Sequence, residues 1–249
     1  MELLLFARVG WMRWYRGPQA GDVKPVGGGK YNKDSLGHEA YNFLPLNGKV
    51  LGYFQPQLQP PVRRNENPSS IALERIKAGF KGESLKNVLT VFFATDPERG
   101  GQRIVGWFRS STVYRYAQES SLKVREYFSY YIEASEGDEV LVPEERREFV
   151  LPGRKGGAGT ANVCYVLEQD GEPKENSPWV ANALEYINSY TLENAARRRA
   201  DPMLAAQVRR LHPCLMLLQD ANDLLFRVPA LLHAQSSRSI YERTPVLSG

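Results

Sequence analysis

Cysteine is nearly absent: Cys164 and Cys214 are the only two in 249 residues, which excludes the disulfide framework of a small secreted domain. Histidine is almost as scarce, with His38, His212 and His233 alone. The two cysteines lie fifty residues apart, so no spacing of a zinc site exists. No G-x-S-x-G is present for a nucleophile elbow. Gly27-Gly28-Gly29-Lys30 runs into Tyr31, where a phosphate loop needs Ser or Thr to hold magnesium. Asp22, His38 and Glu39 are near neighbours, but at no spacing of a metal-ligand motif, and neither metal nor cofactor is expected. Long apolar runs are missing too. In the opening MELLLFARVG, Glu2 and Arg8 bracket the apolar stretch and no small-residue cleavage site follows, so neither a signal peptide nor a membrane span is expected. A cytoplasmic protein fits best.

A large excess of either charge is also lacking. Lys and Arg number 32 against 28 Asp and Glu, a net charge of +4. The excess is confined to residues 1–70, with nine bases against five acids. A negatively charged partner would therefore meet the N-terminal third. With 42% hydrophobic and 24% charged residues the composition is that of a globular chain, neither disordered nor fibrous.

What is present is a succession of short strands. LLLFARVGWMRWY (3–15) is rich in strand formers, and a long Gly- and Pro-rich loop (17–38) follows. Loops of that length in compact domains usually bind something. AYNFLPLNGKVLGYFQ (40–55) predicts a hairpin turning at Asn47-Gly48. Ser70 is placed to cap a short helix, IALERIKAGF (71–80). Strands are expected at 88–95, 103–116, 123–133, 139–142, 149–151 and 161–168, although the consecutive aromatics of 123–133 also allow a helix there. From Ser177-Pro178 the pattern changes to helix, with Val180, Leu184 and Ile187 on one face to about Tyr190. Further helix is marked by Leu204, Val208, Leu211, Leu215 and Leu218, broken at Pro213. The expectation is an α+β chain: a curled or closed β-barrel over residues 1–172 and a helical C-terminal region over 173–249.

Aromatic residues are the unusual feature. Trp11, Trp14, Tyr15, Tyr31, Tyr41, Phe43, Tyr53, Phe54 and Trp107 lie beside glycines and among Lys and Arg. Rings interleaved with cations suit a nucleobase stacked on a ring with its phosphates held alongside.

The strand pair VLTVFFATDPERGGQRIVGWFRSSTVYR, after a Trp-rich opening strand, resembles the barrel of the PUA-like superfamily, whose EVE and YTH members share a similar strand-turn-strand element. A closer resemblance is to N-terminal modules of bacterial HNH restriction endonucleases that target modified DNA. It is carried by ARVGWMRWYRG (7–17), GGGKYN (27–32), GHEAYNF (37–43), LVPEERREFVLP (141–152) and GGAGTANVCYV (156–166). The resemblance implies a PUA-like module that binds DNA carrying a modified base, such as 5-methylcytosine, flipped into an aromatic pocket in a restriction or defence system. Trp11, Trp14, Tyr31, Tyr41, Phe43 and Trp107 are then expected to wall the pocket. Asn32, His38, Asn42 and Ser110 would meet the base edge. Lys30, Lys33, Arg63, Arg64, Arg109, Arg154 and Lys155 would hold phosphates. The C-terminal third lacks the Cys and His of a His-Asn-His metal finger, so the chain is expected to read DNA without cutting it, with a nuclease domain or subunit as partner. Two other classes remain open: a magnesium-dependent nuclease using Asp170, Glu172 and Lys174, and a structural or regulatory subunit whose helical tail binds another protein.

Overall fold

A computed structural model describes residues 2–27, 32, 35–56, 69–120, 128–153, 158, 161–168, 172 and 178–200, the side chains of the last stretch as far as residue 194. Two compact units divide the chain, Met1–Tyr186 and Ile187–Gly249. Among the described residues the first unit holds nine strands: β1 (Leu3–Arg8), β2 (Pro45–Leu46), β3 (Lys49–Gly52), β4 (Ser84–Thr95), β5 (Gln102–Glu119), β6 (Ser129–Ser135), β7 (Glu139–Leu141), β8 (Val150–Leu151) and β9 (Val163–Tyr165). Short 3₁₀ turns occur at His38–Tyr41, Leu73–Arg75 and Glu144–Arg146, and one helix, α1, spans Pro178–Ala200. The first nine residues of α1 belong to the first unit. The described part of the second unit is the rest of that helix. No helix among the described residues is long and apolar enough to cross a membrane.

The strands form one mixed sheet in the order β2-β3-β6-β5-β4-β1-β9, with β7 and β8 also pairing with β5. β1 lies parallel to β4, and the other pairs are antiparallel. The α+β character expected from the sequence is present, but the sheet is not closed into a barrel. β2 and β9 end the path, and no pairing joins them among the described residues. β2 is two residues long and begins at Pro45, which has no N–H to offer a further strand.

The sheet's centre is buried on both faces, and this explains the unbroken apolar run of β4. Val91, Phe92, Phe93 and Ala94 are all fully buried. On one face Phe92 meets Phe43 and Phe108 edge-on, the three ring centroids lying 4.9–5.5 Å apart. On the other, the start of α1 covers the strands: Trp179 packs on Phe6 at 4.8 Å and Tyr186 on Trp107 at 6.4 Å. A strand covered twice has no polar side to alternate with. Gly106 lies against the Phe43 ring and the Val140 carbonyl. A Cβ there would stand 2.6 Å from the Phe43 ring and collide with the Val140 carbonyl, so the glycine of Ile104-Val105-Gly106-Trp107-Phe108 is required by packing.

Local expectations are met where local chemistry decides. Asn47 and Gly48 both take positive φ, 53° and 76°, the geometry of a two-residue hairpin turn, and Pro178 opens α1. Elsewhere tertiary pairing wins. The opening strand stops at Arg8 instead of running to Tyr15; beyond it the Gly10 N–H goes to the Glu39 carboxylate and Trp11 pairs with Val26. The helix expected at 71–80 is reduced to the turn Leu73–Arg75. Ser70 bridges to Tyr116 and the Ile71 N–H binds the Arg115 carbonyl, which holds the segment against β5. In α1 the buried face at its start is Trp179 and Ala183, with Val180 and Leu184 only half-buried. Residues 123–127 of the strand expected at 123–133, the capping Ser177, and the helix expected over 204–218 lie outside the described residues.

Trp107 is 0% exposed, so Trp107→Ala is expected to lose about 3–5 kcal/mol of unfolding free energy in urea melts. Wild-type stability in that variant would take Trp107 out of the core.

Candidate aromatic binding site

The described residues of the connection from β1 to β2 (9–27, 32 and 35–44) are mostly irregular and many of them are buried, so their peptide groups need partners other than a ladder. Buried side chains supply them. Asp22 accepts the N–H groups of Arg13 and Trp14 at 2.9 and 2.8 Å. Arg147, fully buried, donates to the carbonyls of Val142, Met12 and Arg13 at 3.0, 2.7 and 2.8 Å. Its guanidinium lies over the Trp11 ring at 4.7 Å and near the Tyr15 ring at 5.8 Å, a cation–π arrangement. Tyr15 adopts φ 49°, an uncommon conformation for a bulky residue. Its hydroxyl donates to the Gly10 carbonyl and its own carbonyl accepts the Phe43 N–H.

Glu39 and Asn42 continue this scheme on either side of the turn His38–Tyr41. Glu39 Oε1 accepts from the Gly10 N–H at 2.7 Å and from Asn32 Nδ2 at 2.8 Å. Asn32 Nδ2 also donates to the Gly27 carbonyl. Asn42 imitates a strand partner, its Nδ2 donating to the Tyr53 carbonyl while its Oδ1 accepts the Tyr53 N–H, both at 2.8 Å. In a 3₁₀ turn, residues three apart eclipse. With Glu39 and Ala40 turned inward and buried, His38 and Tyr41 share the outer side.

There they meet other rings. His38 packs against Tyr53 at 4.7 Å and Phe128 at 4.8 Å, and Tyr41 meets Phe128 at 5.2 Å. Tyr53 also contacts Tyr131 at 5.9 Å. His38, Tyr41, Tyr53 and Phe128 are all half-buried. The Ser129 N–H points to His38 Nδ1 at 3.2 Å, and since an amide only donates, Nδ1 carries the lone pair and the neutral ring holds its proton on Nε2. The Tyr53 hydroxyl donates to Gln55 Oε1 at 2.7 Å. Burial pushes the Tyr131 hydroxyl up to about 12, so it stays protonated and donates to the Ser69 carbonyl. The result is a group of half-buried rings in contact, bordered by polar groups; aromatic rings of this kind can stack on a flat ligand.

Of the residues expected to form the site, His38 and Tyr41 stand in this group. Trp107 and Phe43 do not: both are fully buried in the sheet's core, as strand-compatible aromatics often are. Trp11 is buried under Arg147, its indole N–H donating to Glu144 at 2.8 Å. Asn32 and Asn42 are buried with their amides engaged by the protein, so neither meets a base edge in this arrangement. Trp14 is 39% exposed, its ring under the Arg13 guanidinium at 4.9 Å. Ser110 is exposed on β5 and donates to Asn87 Oδ1 at 3.2 Å. Arg109, also exposed, binds the Asp138 carbonyl through its N–H. Tyr31, Lys30, Lys33, Arg63, Arg64, Arg154 and Lys155 lie outside the described residues, as do Asp170 and Lys174 of the acidic string. Glu172 is exposed.

Tyr53, Phe128 and Tyr131 were not among the expected site residues. For Phe128 and Tyr131 the signal was the aromatic density of Tyr127-Phe128-Ser129-Tyr130-Tyr131, which reads equally well as strand; Tyr53 was among the aromatics beside glycine but was not assigned to the pocket. Among the described residues no group of three or more His, Cys, Asp or Glu is placed to hold a metal ion. Comparison with protein-family models, with curated proteins and with solved structures finds no match to the chain.

Burial pushes the Glu39 carboxyl above its ordinary value of 4.5, opposed by the bonds from Gly10 and Asn32. A carboxyl that holds its proton more tightly when folded stabilises the fold below pH 4.5, and that contribution is lost as pH rises through the folded value. Glu39→Gln has no such titration. The variant is therefore expected to gain stability relative to wild type as pH rises from 4.5, read from urea midpoints. Parallel midpoints would show that Glu39 ionises at no cost to the fold.

Proposed function

We propose that the chain is a cytoplasmic DNA-binding module that reads a modified base, most simply a modified cytosine, in a modification-dependent restriction or defence system. The observation that carries this reading is the group formed by His38, Tyr41, Tyr53 and Phe128, four half-buried rings in contact at 4.7–5.2 Å. A base extruded from the duplex exposes two π faces and a hydrogen-bonding edge. Aromatic faces stack the first, and polar groups such as Gln55 and Ser129 border the same rings. The kinship with PUA-like EVE and YTH modules belongs to this proposal and rests on the sequence elements quoted above.

Phosphate contacts are assigned to Arg109 and to the cations of the neighbouring sequence, Lys30, Lys33, Arg63, Arg64, Arg154 and Lys155. These carry the salt dependence while the rings carry the discrimination. The reading makes the chain a binding module. Cleavage of DNA then falls to a nuclease domain or subunit acting with it.

The test is fluorescence-polarisation binding to short duplexes that differ in one base: unmodified, 5-methylcytosine, 5-hydroxymethylcytosine and N6-methyladenine, at one salt concentration. One modified duplex is expected to bind tighter than the unmodified one. Tyr53→Ala and Tyr41→Ala, checked for folding by circular dichroism, are each expected to cost about 1–3 kcal/mol on that duplex and less on the unmodified one. Equal binding to all four duplexes, or equal losses on all of them, would overturn the reading.

A further inference from the structure

Three stretches of the irregular connection meet at one carboxylate. Glu39 is 4% exposed, and its Oε1 receives the Gly10 N–H from the chain leaving β1 and Asn32 Nδ2 from the end of GGGKYN. Through the same Nδ2, Asn32 binds the Gly27 carbonyl at the start of that motif. The fit leaves no slack: a Cβ on Gly10 would stand 2.7 Å from Pro25 Cβ and 2.8 Å from Glu39 Oε1. Beneath the junction the Tyr15 hydroxyl holds the Gly10 carbonyl at 2.7 Å.

Glu39 directly follows His38 and stands two residues before Tyr41, the residues whose rings meet Phe128. In so short a turn, the direction of one side chain sets that of its neighbours. The buried junction and the half-buried rings are therefore two sides of one element. A hydrogen-bonded group buried at this depth is costly to leave unpaired, so the junction has one arrangement, and through it so does the outer side of the turn.

We infer that Glu39 and Asn32 are positioning residues for the aromatic site, a lock that ties Gly27 and Asn32 to the turn and sets where the His38 and Tyr41 rings stand. Neither residue touches the ligand; each acts through the turn. The consequence for DNA rests on the reading of the site proposed above, whereas the lock itself does not.

The experiment uses the full chain labelled at histidine and read by NMR. There are three imidazoles, His38, His212 and His233, and the His38 signal is assigned by its loss in His38→Gln. Packed against Tyr53 and Phe128, that ring is expected to show ring-current-shifted resonances in the wild type. Asn32→Ala, which leaves the Gly10–Glu39 bond in place, and Glu39→Ala are expected to move the His38 resonances toward those of a free imidazole. Glu39→Gln keeps an Oε1 acceptor and is expected to restore them. The same variants are then taken through the duplex series, where Asn32→Ala and Glu39→Ala should lower the preference for the modified duplex about tenfold, or about 1.4 kcal/mol, with Glu39→Gln near wild type. An unmoved His38 signal in Asn32→Ala and Glu39→Ala, or a displacement in Glu39→Gln as large as in Glu39→Ala, would overturn the lock. A His38 signal that moves and is rescued, with wild-type protein that prefers no duplex, would uphold the lock and overturn the base-reading proposal.

Discussion

Irregular backbone carried into a protein interior must find hydrogen-bond partners without a ladder or a helix to provide them, and the connection between β1 and β2 is built around that constraint. Asp22, Glu39 and Asn42 accept or exchange bonds with peptide groups, and Arg147 donates to three carbonyls from the far end of the sheet's sequence. A guanidinium suits that task because its donors fan out in one plane while its faces stack on rings, here those of Trp11 and Tyr15. With the described residues of this connection tied in this way, the turn at His38–Tyr41 is anchored to the interior through Glu39 and Asn42.

The sheet sets the division of labour among the aromatics. Its central strands are covered on both faces, so Phe6, Phe43, Phe92, Phe108 and Trp107 are consumed by packing. His38, Tyr41, Tyr53 and Phe128 are among the rings left half-buried, where the 3₁₀ turn, the end of the β3 segment and the start of β6 come together. Recognition by stacking needs ring faces that solvent and ligand can reach. Location relative to the doubly covered centre, more than residue type, decides which rings qualify.

Buried polar groups link the two regions. The Glu39 carboxyl is held above its ordinary value by burial, yet it receives two donors from separate parts of the chain. Such a group adds little net stability and much uniqueness of arrangement, because the alternatives leave a buried donor or acceptor unpaired. The proposed base-reading site depends on this economy, since its rings are placed by an element too short to have a stable conformation alone.

Local chemistry was legible in the residues themselves. The Asn47-Gly48 hairpin, the strands around residues 88–95 and 103–116, and the helix opening at Pro178 all follow from φ preference, apolar periodicity and the proline rule, which act over a few neighbours. Long-range choices were not. That β1 would run parallel to β4, that Pro45 would end the sheet and leave it open, that Leu73–Arg75 would be drawn onto β5 before a helix could extend, and that Trp107 and Phe43 would be core while Tyr53 and Phe128 joined His38 were decided by contacts between residues far apart in sequence. Asn32 shows the reason most clearly. As a residue type it fits a base edge, but its amide lies within reach of Glu39 and Gly27 once the chain is folded, and hydrogen-bonding capacity goes to whichever partner the tertiary structure brings close.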